Sequence, residues 1–90
     1  MLTDKEKEIL VITQEECAEV IQEISKVFRF GIENQHKAGP KHRQVLESEV
    51  GDLLCMIDLM LEYNIINKDN LNEAKNKKQQ KLKVWSNIFK

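Results

Sequence analysis

Two short runs of carboxylates hold the clearest chemistry in this chain. Glu16, Glu19 and Val20 read ExxEV, and Glu49, Asp52 and Leu53 repeat the pattern as ExxDL. Residues three apart on a helix share a face, roughly 60° from each other. Stepping about 100° per residue from Glu16 puts Val20 near 40°, Ile24 near 80° and Cys17 near 100°. From Glu49 the same positions fall to Leu53, Ile57 and Val50. Each carboxylate pair stands on the shoulder of an apolar stripe. Two helices packed by those stripes bring four carboxylates to the rim of the core.

Such a group repels itself and resists desolvation unless something neutralises it. A hard divalent cation does so. Carboxylate and water oxygens suit Mg²⁺, with Mn²⁺ as a substitute, and Mg²⁺ commonly shares its shell with substrate phosphates. The bland alternative is that Glu is a good helix former and abundant on solvated faces. A single ExxE pair carries little, and two pairs in one register against an apolar stripe strengthen the case for the metal.

The elements that position these residues are helical. The chain has one Pro and three Gly in 90 residues, and no run alternates long enough for a sheet. Thr3 and Glu6 form a capping box that starts a first helix near Asp4. Apolar residues keep a helical period to about Arg29, with Gly31 as the stop. A second box at Thr13 and Glu16 allows a break near Val11–Thr13, but one long helix is preferred. Residues 31–40 read as turn, with Gly39-Pro40 the strongest punctuation. The second helix is expected from about Lys41 to Tyr63. The third begins near Asp69–Leu71 and ends near Trp85, which should anchor it. Its surface is basic, with Lys75, Lys77, Lys78, Lys81 and Lys83.

Beyond Asp52 the second helix turns apolar on nearly every side, because Cys55, Met56 and Leu59 fall off the main stripe. A helix that is hydrophobic all round must be surrounded, which three helices in one chain can hardly do. The reading is therefore an obligate homodimer at least, with a tetramer of two dimers as the other form. Cys17 and Cys55 read as packing residues, too few for a thiolate zinc site and without a secretory context for a disulfide.

Glu23 is read as a surface residue paired with Lys26, since its equivalent in the second helix is Met56. His36 and His42 are read as solvated loop histidines, with a phosphate or base contact by either as the alternative. Phe28 belongs to the core and Phe30 caps the bundle; alternatively, Phe30 stacks on a base and Arg29 touches phosphate or the base edge.

The order Glu15-Glu16-x-x-Glu19, then Glu49-x-Gly51-Asp52-Leu53-Leu54, then Lys78-x-x-Lys81-Leu82-x-x-Trp85 resembles the all-α nucleoside triphosphate pyrophosphohydrolases. That group includes MazG-like proteins, dimeric dUTPases and phosphoribosyl-ATP pyrophosphohydrolase. The resemblance spans about residues 10–85 and is closest to small MazG-like members. It implies a single all-α domain over 1–90, with three main helices per chain assembling into a four-helix-bundle-like homo-oligomer. It also implies Mg²⁺-dependent splitting of the α–β phosphoanhydride of (deoxy)nucleoside triphosphates, giving a monophosphate and pyrophosphate. Matched to the motif, Glu16, Glu19, Glu49 and Asp52 bind metal, and Glu16 or Glu19 orients or deprotonates the attacking water. Glu15, Arg29, Lys78 and Lys81 are the expected substrate contacts.

Charge and composition narrow the alternatives. With 14 Lys+Arg against 15 Asp+Glu, the net charge is −1, which lacks the basic footprint of a nucleic-acid polymer binder. The longest apolar run, Leu53 to Leu61, is too short to span a membrane. The expectation is a cytoplasmic enzyme of nucleotide metabolism. Two other readings stay open: a phosphoribosyl-ATP pyrophosphohydrolase, and a non-enzymatic helical adaptor that offers its Lys-rich helix to an acidic partner.

Overall fold

A computed structural model of the chain describes residues 1–35 and 38–90. They form three helices, α1 (Asp4–Phe30), α2 (His42–Glu62) and α3 (Lys68–Trp85). The start of α1 is the capping box read from the sequence. The Thr3 hydroxyl accepts from the Glu6 amide at 3.1 Å, and the Glu6 carboxylate accepts from the Thr3 amide at 2.8 Å. The second box is not used. Thr13 turns its hydroxyl back to the Ile9 carbonyl at 2.7 Å, so α1 runs unbroken to Phe30. There Gly31 takes φ of 92°, in the range that glycine adopts freely.

The turn back to α2 is pinned by its backbone. The amide of His42 donates to the Asn34 carbonyl and that of Arg43 to the Ile32 carbonyl, each at 2.9 Å. Glu33 pairs with Arg43, and Lys41 Nζ stands 3.6 Å from the same carboxylate. The Arg43 guanidinium holds the Glu33 carboxyl below its ordinary pKa. The other histidine of this stretch, His36, lies outside the described residues.

α1 packs against α2, and the contacts give the direction. The C-terminal part of α1 meets the start of α2 through Glu23 and His42, while Lys5 near the start of α1 lies over the Tyr63 ring at its end. The pair is antiparallel. Buried residues, among those described, are Ile9 and Glu23 on α1 and His42 and Met56 on α2. Glu16 lies seven residues from both Ile9 and Glu23, and Glu49 seven from both His42 and Met56. Seven residues advance a helix about 10.5 Å and return to within about 20° of the same face. The seam therefore has three rungs: Ile9 level with Met56, Glu16 with Glu49, and Glu23 with His42.

Several expectations change here. Met56 is not spare surface awaiting a partner but part of the small core within the chain, whereas Cys55 is exposed. Phe28 does not enter the core; it is 85% exposed. Trp85, at 83%, is not buried against the described residues of its own chain. The reason lies at the elbow after α2. Asn64 takes φ of 59°, a left-handed conformation that Asn tolerates, and α3 leaves at this point without lying along α1 or α2. Cys17 is exposed like Cys55, and both are free thiols. The radius of gyration is 16.1 Å, against about 12 Å for a compact domain of this length.

Met56→Ala should lower the stability measured by denaturant unfolding by about 2–3 kcal/mol. Lys81→Ala, on the exposed face of α3, should stay within about 0.5 kcal/mol of the parent chain.

Candidate metal centre

The middle rung of the seam carries the chemistry. Glu16 projects from α1, and Glu49 and Asp52 from α2; each offers a carboxylate oxygen within 4.8 Å of the other two. Glu16 and Glu49 are half-buried and Asp52 is exposed. The chain thus holds a three-carboxylate cluster able to accept a divalent cation. The packing explains the convergence: Glu49 and Asp52 are one turn apart on one face, and the antiparallel register sets Glu16 level with Glu49.

Electrostatics mark Glu49 as the strained member. Partial burial and then repulsion from Glu19, Asp52, Glu16 and Glu23 raise its pKa above the ordinary glutamate value. Glu19 is exposed and stands outside the close cluster, yet its charge is the nearest-ranking repulsion on Glu49. The donor set suits a hard cation. Oxygens about 2.1 Å from Mg²⁺ in an octahedron stand about 3.0–4.2 Å apart. The 4.8 Å limit of the cluster slightly exceeds that span, and carboxylate rotation on half-exposed side chains can close the difference.

The other expected site residues are spread out. Glu15 is exposed beside Glu16. The Arg29 guanidinium lies 4.9 Å from the centre of the Phe30 ring, at the end of α1 nearer the turn. Lys78 and Lys81 stand exposed on α3, which does not reach the carboxylates of its own chain. An open concavity of about 1160 Å³ lies elsewhere, at the α2–α3 elbow between Asp58 and Leu71. It is the hollow left where α3 turns away from α2.

Two residues of the seam escaped the sequence reading. Glu23 is 3% exposed and His42 is 1% exposed, so neither is the solvated side chain expected. Glu23 Oε1 meets His42 Nδ1 at 3.1 Å, and Lys26 Nζ approaches Glu23 Oε2 at 3.9 Å. Phe30 stacks on the His42 ring with centroids 5.6 Å apart. The signal that would have found the pair is the seven-residue spacing on both helices, read in opposite directions.

No family model, no curated protein and no solved structure matches this chain. The fold and the cluster together define an all-α chain with a candidate cation site on a two-helix seam. Among the described residues, no helix is long and apolar enough to cross a membrane.

The raised Glu49 pKa has a measurable sign. Folding favours the protonated carboxyl, so this contribution to stability is present below the ordinary glutamate pKa and is lost as pH rises through the raised value. The melting temperature of metal-free protein should therefore carry a fall with rising pH just above the ordinary glutamate range. Glu49→Gln should remove that component, and an unchanged pH profile would overturn the assignment.

Proposed function

We propose that this chain is a divalent-cation-dependent hydrolase of nucleoside triphosphates, cleaving the α–β phosphoanhydride to a monophosphate and pyrophosphate. The observation that carries the reading is the approach of the Glu16, Glu49 and Asp52 oxygens across the α1–α2 seam. The resemblance of the EExxE and ExxD elements to all-α pyrophosphohydrolases supports the choice of substrate. Glu16, Glu49 and Asp52 would hold Mg²⁺ or Mn²⁺, with Glu19 beside them. A bound cation supplies charge neutralisation for the phosphates and lowers the pKa of an attacking water. Glu19 or Glu16 would orient that water and accept its proton. Glu15 and Arg29 would flank the substrate.

The reading includes a homo-oligomer. Ile21, Phe28, Leu54, Val84 and Trp85 are exposed on the single chain, and burying apolar surface is worth about 25 cal/mol per Å². α3 carries six lysines against two carboxylates, whereas α2 carries five carboxylates against one arginine. A second copy meets both needs: it covers apolar faces and brings Lys78 and Lys81 toward phosphate at a carboxylate cluster. The adaptor reading draws on the same exposed basic helix, which would then dock on a different, acidic protein.

Pyrophosphate release from a panel of nucleoside triphosphates and phosphoribosyl-ATP, with product identification, tests the substrate. Glu49→Gln and Asp52→Asn should abolish release with helix content unchanged. Activity that survives excess chelator would sink the mechanism. Absence of carboxylate-dependent Mn²⁺ binding by calorimetry would favour the adaptor. Light scattering should give at least twice the 10.6 kDa chain mass; a stable folded monomer at micromolar concentration would defeat the assembly.

A further inference from the structure

The third rung of the seam has no part in the chemistry above, yet its two side chains are the most deeply buried among the described residues. Glu23 and His42 stand 3.1 Å apart, one seven-residue step from Glu16 on α1 and one from Glu49 on α2. Burying such a pair in place of apolar side chains rarely adds stability; its best-attested use is to specify register. Apolar contacts between two helices tolerate axial sliding, because they are non-directional. A hydrogen bond between two fixed atoms does not. A slip of one turn, about 5.4 Å, would break the pair and carry Glu16 past its partners on α2.

Both ends of the bond are held. The His42 backbone is tied to the turn through Asn34, with Arg43 tied to Ile32 behind it. Its ring is stacked on Phe30. Glu23 is a full helical position within α1, with Lys26 at its second oxygen. The middle rung supplies the need for this fastening: the Glu16, Glu49 and Asp52 oxygens stand within 4.8 Å of one another, and like charges that close repel in the absence of a cation.

We propose that the buried Glu23–His42 pair is a clasp that sets the axial register of α1 on α2 and thereby holds Glu16 opposite Glu49 and Asp52. Both are positioning residues, and the part of the proposal that concerns cation binding rests on the metal reading given above.

The full chain provides its own probes. Cys17 on α1 and Cys55 on α2 are its two cysteines, and both are exposed. Nitroxide labels on them report the register by electron spin resonance, and dilution with a cysteine-free chain removes distances between copies. Glu23→Gln and His42→Gln should each shift or broaden the label distance and weaken Mn²⁺ binding by about tenfold or more, the scale seen when the supports of metal ligands are removed. The exchanged pair, Glu23→His with His42→Glu, should restore both. Thr3→Ala is the control for lost stability alone, since it removes a helix cap far from the clasp, and it should move neither.

A label distance unchanged in both single variants would overturn the proposal. So would an exchanged pair that folds without recovering the parent distance. Should the single variants unfold, the exchanged pair decides: recovery of fold and distance supports the clasp, and failure to recover overturns it. Absence of Mn²⁺ binding to the parent chain would sink the metal reading alone, because the label distances still decide the register.

Discussion

Like charges facing each other across a helix seam set the terms for the rest of this chain. Glu16 on one helix and Glu49 and Asp52 on the other are brought within reach by packing that their repulsion opposes. The opposition is met from both sides along the seam. Toward one end stand Ile9 and Met56, which withdraw apolar surface from water without fixing a position. Toward the other stand Glu23 and His42, joined atom to atom. An apolar rung gives cohesion and a polar rung gives register, and the acidic rung between them uses both. Ile32 and Asn34 serve the same end, since their carbonyls hold the first residues of α2 against the end of α1.

Much of this was legible in the sequence, for definable reasons. Helix boundaries announce themselves through local chemistry, such as Thr3 with Glu6 and the glycine at position 31. The stripe on which Glu16, Glu49 and Asp52 stand follows from periodicity. The clasp did not emerge, because the two ExxE-like elements were compared by translation, which pairs Glu23 with Met56. Antiparallel helices relate their residues by reversal: the partner of a position after Glu16 lies before Glu49. Read that way, Glu23 meets His42 and Ile9 meets Met56.

Periodicity also shows which side of a helix is apolar without showing what covers it. Phe28 and Trp85 sit on apolar faces in the sequence, and within one chain both lie open to solvent. The same limit applies to α3, whose pattern predicts a helix and whose position depends on the elbow at Asn64. A radius of gyration of 16.1 Å and a core of so few buried residues describe a chain whose own packing is concentrated in one helical pair. Small domains of this size gain stability from what they associate with as well as from what they enclose.

The seven-residue spacing of the rungs has a consequence for how such a chain can change through descent. One residue inserted between Glu16 and Glu23 turns everything beyond it by about 100°, which moves the clasp off the seam without altering a single functional side chain. An insertion in the turn between the helices leaves all three rungs intact, provided that the chain still closes. For the rungs to meet, the intervals along each helix therefore matter as much as the identities of the residues.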